Sequence, residues 1–413
     1  MHSSLVQSGS LSIILLLILA TPGGAQTAPA QPAPETKVDA SRGGITISSG
    51  VNSLTIGGRM QFRWTLDDRE RADTDTAGSG RGDADGFISQ FDVPRLRLSL
   101  SGGVYRPWLR YLFQLDFSRT PGESASKIKD AVIEVRPTGS SYRFQVGQFK
   151  APFGLQQLTS SGRLQFVDRA ITDSKFTPSR EMGAMFAGTA MGRTLGYEAG
   201  VFNGSGESVR QNNKSQLVAG RVFWQPLGPY ALSEGSSDAA ARPVLHVGVG
   251  ARTGEQIRGR TPTSTVEDPD DQTALNAEFA FKSRRIYSTA EYFWMTDEQQ
   301  NPTAGRDIES RGAHVQAGYM VLPARADVGI LFAQITPDAD VDDAEITEVR
   351  GVVGYYWHAH GLKLQADGGR LIYEDRFSAL GARARQGLPA PGTRLGSGRL
   401  VDTQVRVQFQ VAF

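Results

Sequence analysis

From about residue 53 to the C-terminus, apolar and polar side chains alternate with a period of two, the signature of strands whose two faces meet unlike surroundings. In 59–66, Met60, Phe62, Trp64 and Leu66 form one set and Arg59, Gln61, Arg63 and Thr65 the other. Leu109, Tyr111, Phe113, Leu115 and Phe117 then oppose Arg110, Gln114 and Asp116, and near the end Val405, Val407, Phe409, Val411 and Phe413 oppose Gln404, Arg406, Gln408 and Gln410. The pattern predicts sixteen strands, at 54–67, 91–101, 107–118, 127–136, 141–149, 181–189, 194–203, 215–225, 242–252, 272–283, 285–297, 309–320, 324–336, 346–358, 361–375 and 401–413.

The connectors between these strands alternate long and short, with long ones at 68–90, 150–180, 253–271 and 376–400 and tight turns at 102–106, 137–140, 190–193 and 283–284. Outer-membrane barrels have this form, with short periplasmic turns, long outer loops and an even strand count that returns both ends to the periplasm. In lipid every backbone polar group must be satisfied internally, so a membrane protein made of strands has to close its sheet. One connector, 226–241, is long at a short-turn position, as either an elaborated turn or a miscount. Trp64, Phe117, Tyr142, Trp224 and Trp357 sit towards strand ends on the apolar side, as interfacial girdles require. A secreted β-sandwich would also alternate, but it has no need of such girdles. The expectation is an all-β fold, a 16-stranded antiparallel transmembrane β-barrel wide enough to hold water.

Composition narrows the choice. The 413 residues carry 44 Lys+Arg against 43 Asp+Glu, with no cysteine. Balanced charge argues against a nucleic-acid partner, and the missing thiols exclude disulfide scaffolds and cysteine chemistry. No apolar run approaches the ~20 residues of a membrane helix. The block 11–20 is apolar and is followed by small residues up to Ala25, which reads as a signal peptide over 1–25 with the mature chain starting at Gln26. No Lys or Arg precedes that block. Residues 26–52 read as a periplasmic Ala/Pro-rich lead-in, extended rather than folded up to about Lys37, and 53–413 as the barrel.

The stretch Ser141-Tyr142-Arg143-Phe144-Gln145-Val146-Gly147-Gln148-Phe149-Lys150-Ala151-Pro152-Phe153-Gly154 resembles the strand and loop entry of the phosphate-selective porin O and P family, where Gly-Gln-Phe-Lys-x-Pro-Phe-Gly leads into a constriction loop. Phe91 to Arg97, Asp116-Phe117, Phe166-Val167-Asp168-Arg169 and Glu181-Met182-Gly183 add to the likeness, which covers roughly 54–413. The resemblance implies an outer-membrane barrel of a Gram-negative bacterium, generally a homotrimer, that conducts small hydrophilic solutes and, in its best-known members, anions such as phosphate.

If the apolar sets face lipid, the opposite sets line the lumen and are rich in arginine: Arg59, Arg63, Arg95, Arg97, Arg110, Arg143, Arg221, Arg350 and Arg406. Guanidinium groups are always charged and fork two donors onto an oxyanion, so a ladder of them offers successive contacts for lost water. The bland alternative is that they solvate the lumen and pair with Asp116, Asp130, Glu134, Glu348 and Asp367. The length of 150–180 and the family likeness together point to a loop folded into the lumen. Lys150, Arg163, Arg169 and Lys175 are its candidates for a selective constriction, unless Lys150 and Arg169 merely clamp it, while Pro152, Phe153 and Gly154 read as structural.

Other features oppose phosphate. The chain has only eight lysines, and two outer loops are acidic, one with Asp338, Asp340, Asp342, Asp343 and Glu345, the other with Glu267, Asp268, Asp270 and Asp271. Acidic mouths repel oligoanions, although they can hold divalent cations that bridge lipopolysaccharide. His246, His314, His358 and His360 fall in no recognisable nucleophile–base arrangement, and His358 with His360 reads as a polar turn before a metal site. Nothing in the sequence asks for a cofactor. The reading is therefore a passive channel with a mild preference for anions, set against a plugged surface barrel serving as an adhesin or structural protein.

Overall fold

Sixteen strands pair in sequence order and close on themselves. In a computed structural model of the chain, the structure describes residues 35–41, 43–69, 87–118, 127–208, 215–236, 242–255, 271–298, 306–389 and 398–413. The wall is built from β3 (Asn52–Arg69), β4 (Phe87–Gly103), β5 (Leu109–Asp116), β6 (Lys127–Val135), β7 (Tyr142–Lys150) and β8 (Arg180–Ala190). It continues through β9 (Leu195–Phe202), β10 (Leu217–Trp224), β11 (Val244–Glu255), β12 (Asp271–Lys282) and β13 (Ile286–Glu298). β14 (Ile308–Leu322), β15 (Ala326–Thr336), β16 (Ile346–His358), β17 (Leu362–Tyr373) and β18 (Leu400–Ala412) complete it. Every adjacent pair is antiparallel, and β18 returns to β3 from Asp402↔Arg69 to Ala412↔Arg59, which removes both sheet edges.

All sixteen expected strands are present, and the alternation sorts as anticipated. Met60, Phe62, Phe409 and Val411 are exposed on the outside, while Gln61, Arg63, Gln408 and Gln410 are buried inside. Phe117, Tyr142, Trp224 and Trp357 lie exposed on the outer surface. The rim with the short turns, where Phe413 exchanges backbone hydrogen bonds with Gly58, is the periplasmic one.

The structure adds three things to the sequence pattern. Two short strands, β1 (Thr36–Asp39) and β2 (Ile45–Ser49), form a hairpin that extends the first wall strand, with Ile45 opposite Ile56, inside the segment expected to be a lead-in. The connector between β10 and β11 is an elaborated turn and not a miscount: Tyr230, Ser233, Glu234 and Ser236 are buried, and Glu234 N–H donates to the Arg163 carbonyl at 2.7 Å. The turn therefore reaches the loop between β7 and β8.

That loop, 151–179, carries two short helices, α1 (Leu155–Leu158) and α2 (Ile171–Phe176), and makes an apolar core inside the barrel. Phe153, Phe166, Ile171 and Phe176 pack on Phe293, Met295, Leu331, Ile335 and Ile346 of the wall, and Phe377 and Leu380 from the connector before β18 close the cluster. The Phe176 and Phe293 rings stack at 5.1 Å. Burying each phenyl group stabilises the arrangement by about 1.5–3 kcal/mol. Wall glycines make room for it: a Cβ on Gly312 would stand 2.5 Å from the Phe176 ring, and one on Gly318 2.2 Å from the Gln165 amide. The expectation of water along the whole inner wall is thus corrected, because the inner face of β12–β17 is largely covered by protein. The signal segment 1–25, residues 26–34 of the lead-in, and Glu267, Asp268 and Asp270 lie outside the described residues.

Candidate functional site

Hydrogen bonds of both polarities fix the loop to the β12–β18 side. Glu291 accepts from the Leu155 and Gln156 amides at 2.6 and 2.8 Å, Glu348 from Ile171 N–H at 2.9 Å, and Asp367 from Val167 N–H at 3.1 Å. Glu234 of the inserted turn accepts from Gln165 N–H at 2.9 Å and from the Gln156 side chain at 2.9 Å. In the opposite sense, Arg350 donates to the carbonyls of Asp168 and Arg169, Lys363 to Leu164, and Gln410 to Gly162. Buried loop amides and carbonyls need such partners, since an unpaired one costs about 1–3 kcal/mol.

Asp168 is the electrostatic centre of this attachment. Its carboxylate receives Arg63 through both terminal nitrogens at 2.8 and 3.1 Å, Arg95 at 3.0 Å and Arg406 at 3.1 Å. Burial alone would raise this carboxyl, but the three guanidiniums hold it well below the usual carboxylate range. Arg63 and Arg406 therefore face the loop and not open water, and Arg406 also forks onto Asp367 at 2.8 and 2.7 Å.

Because the loop is held to one side, the open space lies against β4–β10. A cavity of about 1210 Å³ runs from Val51 and Ser53 at the periplasmic rim to Lys129 and Glu207 near the outer ends of the strands. Among the described residues its lining has nine cationic side chains, Arg95, Arg97, Arg110, Lys129, Arg143, Lys150, Arg169, Arg180 and Arg221, against four acids, Asp130, Glu134, Glu198 and Glu207. Each acid is engaged: Asp130 by Arg180 at 3.0 Å, Glu134 by Arg136 and Arg143, Glu198 by Arg143 and Arg221, and Glu207 by Lys129 at 2.9 Å. Arg97 pairs with Asp116 at 2.7 Å. Arg110 is exposed and has no carboxylate partner among the described residues. A second cavity, of about 380 Å³, opens towards the outer rim past Asp67, Arg69 and Asp402, and Arg95 and Arg169 line both spaces.

The remaining arginines divide accordingly. Arg59 stands directly opposite Arg97 across β3 and β4 and donates to the Ser160 and Ser161 hydroxyls at 3.1 Å each. Arg350 is buried between Glu348 at 2.8 Å and Asp367 at 3.3 Å, with its guanidinium over the Phe166 ring. The alternative pairings of these arginines with Asp116, Glu134, Glu348 and Asp367 are therefore present, while Asp130 is held by Arg180, outside that set, and the lining keeps a cationic excess.

The loop candidates also separate. Lys150 caps α1 by donating to the carbonyls of Gln157, Leu158 and Thr159, and Arg169 donates to Gln156, Gln157 and Thr159, yet both still line the cavity. Burial, and then Arg95 and Arg180, lower the Arg169 guanidinium against the opposing pull of Asp173 and Glu234. Lys175 is not at the constriction: it is buried and donates to the Ala384 carbonyl at 2.7 Å. Arg163 is exposed and lies off the cavity lining beside the inserted turn. In the acidic outer loop, Arg306 bridges Asp338 and Asp340 at 2.6 and 2.7 Å, which removes part of that negative charge. His360 donates from Nε2–H to the Glu234 carbonyl at 3.0 Å as part of the turn's seat.

Residues 66–327 match the family model described as phosphate-selective porin O and P. The chain belongs to this family. It is an outer-membrane porin. No curated protein matches the sequence. Among solved structures, the barrel is similar to the outer membrane channel DcaP of Acinetobacter baumannii, with a TM-score of 0.55 and 12% identity over 88% of this chain and 97% of that one. It is also similar to OmpT of Vibrio cholerae, with a TM-score of 0.51 and 12% identity over 88% and 99% of the two chains. A trimer form of that OmpT gives 0.53 at 10% identity over 87% and 100%. At these identities the likeness concerns the fold alone.

Sequence reasoning missed Glu234, Glu291, Gln165 and Lys363, which hold the loop. A signal was available for part of this. Residues 329–333 of β15, Gly-Ile-Leu-Phe-Ala, are apolar on both faces, which a strand with lipid on one side and water on the other does not need.

Proposed function

We propose that this porin passes small hydrophilic solutes by passive diffusion with a preference for anions. The observation that carries the reading is the cavity lining, with nine cations against four acids that are all already held by cations. Within a low-dielectric wall such an excess raises the local concentration of anions, and no single exposed arginine binds tightly enough to stop conduction. Arg95 and Arg169, at the junction of the two spaces, are the contacts an anion meets in passing between them.

The reading extends to the whole molecule. The chain is exported with removal of 1–25, sits in the outer membrane of a Gram-negative bacterium among lipopolysaccharide, and assembles as a homotrimer, as one structural relative does. It carries no catalytic activity. A plugged adhesin is the weaker reading, since loop and turn cover the β12–β17 side and leave the cavity along β4–β10 free.

The test is the reversal potential of the purified channel under a KCl gradient. The expected sign is that of chloride permeation, and Arg110→Ala moves the potential towards zero, since Arg110 has no partner whose loss would disturb the wall. A wild-type potential of the cation-selective sign would refute the reading.

A further inference from the structure

The inner wall of β5–β10 carries a row of side chains that an aqueous passage for inorganic ions has no use for. Followed around the barrel through its pairings, Leu112 stands opposite Val132, Val132 opposite Gly147, Gly147 opposite Gly183, Gly183 opposite Phe202, and Phe202 opposite Leu217. No member of this inward row is polar. Phe149 and Met185, from adjacent levels, join the same apolar cluster, with Phe149 edge-on to Phe202 at 5.5 Å. Ala151, where the loop leaves the wall, belongs to this cluster. Leu112, Val132, Phe149 and Met185 line the 1210 Å³ cavity, the last three with only a small part of their surface open to it, whereas Phe202 and Leu217 do not line it.

The cationic groups stand beside this surface. Arg110 lies two residues before Leu112, on the same face of β5, exposed and without a carboxylate partner. Arg97 lines the same space from the neighbouring strand. An inorganic oxyanion needs donors on all sides and would lose hydration without compensation against Leu112 and Val132. A molecule with a charged head and an apolar body loses nothing there: the head keeps its guanidinium contact while the body leaves water.

On the strength of the anion reading above, we infer that the cavity is a transit site for small organic carboxylates with an apolar body, favoured over inorganic phosphate and over short carboxylates that lack such a body. Arg110 holds the carboxylate, and Leu112, Val132, Phe149 and Met185 form the surface along which the body slides.

The experiment uses the purified full-length channel in a planar bilayer carrying chloride current, with benzoate, acetate and inorganic phosphate as probes. Benzoate is expected to halve the current at about a tenfold lower concentration than acetate or phosphate, the factor that partial burial of one ring supplies. The double variant Leu112→Ser, Val132→Thr, which alters no charge, brings benzoate to within about twofold of acetate. The inference is overturned if acetate or phosphate blocks wild type as well as benzoate does, or if the double variant keeps the benzoate advantage. The wild-type comparison stands whether or not the variant folds. An anion-selective channel with no benzoate advantage sinks this inference alone, whereas a cation-selective one sinks the anion reading beneath it as well.

Discussion

Replacing Asp168 by Asn tests how the constriction loop is held. The carboxylate accepts four hydrogen bonds from three arginines, at 2.8, 3.1, 3.0 and 3.1 Å. Charge-assisted bonds of this kind contribute about 1.5–3 kcal/mol each when desolvated. The Asp168 side chain keeps 29% of its surface exposed, and Asn retains one carbonyl acceptor, so screening and partial replacement reduce the sum. The net loss comes to about 2–4 kcal/mol, below the cost of breaking a fully buried pair. At tenfold per 1.4 kcal/mol, the displaced state of the 167–169 segment becomes about 30- to 1000-fold more populated. The barrel ladder is untouched, so the variant should still run as a folded barrel in unheated gels. In single-channel recordings it should show increased open-channel noise together with a stronger anion preference, since Arg63 and Arg95 lose their paired carboxylate while Arg406 keeps Asp367. The charge change alone would shift selectivity without adding noise. A quiet Asp168→Asn channel would refute the account of the loop's attachment.

Two further outcomes follow from the same geometry. Because the Asp168 carboxyl is held below the usual carboxylate range, its clamp is fully present above the ordinary value of about 3.9 and is lost only as pH falls through the lower folded value, so the wild-type open-channel noise should be the same at pH 7 and at about pH 4.5; a noise increase already at pH 4.5 would contradict this. Glu234→Ala removes the acceptor of the Gln165 amide and one of the acceptors of each of the Gln156 and Gln316 side chains, which loosens both the inserted turn and the loop's periplasmic end, and it should raise single-channel conductance while the folded barrel persists; an unchanged conductance would show that the turn does not support the loop.

Most of the architecture was legible because period-two alternation records which face meets lipid. That contrast is local, and it survives in every strand whose other face is polar. The arginine-rich inner face was readable for the same reason. What the arginines touch was not: Arg63, Arg95 and Arg406 come from three strands and meet on Asp168 only through closure of β18 on β3 and the docking of a loop more than 70 residues from Arg95 in sequence. The dry side of the lumen escaped notice because Gln165, Gln316 and Gln365 look like lumen-facing polar residues. They are buried, bonded to loop and wall groups, as their polarity alone cannot reveal. The inward glycines at 312, 318 and 329 and the doubly apolar run in β15 are the features that distinguish a wall facing protein from a wall facing water. The 226–241 connector broke the long–short rule for a physical reason too, since a turn that must reach the loop cannot be short.

The central claim is that solute travels along the β4–β10 wall and not through the middle of the barrel. The absence of native cysteine makes it directly testable by single substitutions followed by a charged, membrane-impermeant thiol reagent during current recording. Arg110→Cys and Gln145→Cys lie on the cavity lining, whereas Gln316→Cys lies behind the loop, bonded to Gln165 and Glu234. The account predicts rapid, stepwise loss of current for the first two and none for the third. Block at Gln316→Cys with no effect at Arg110→Cys and Gln145→Cys would contradict it.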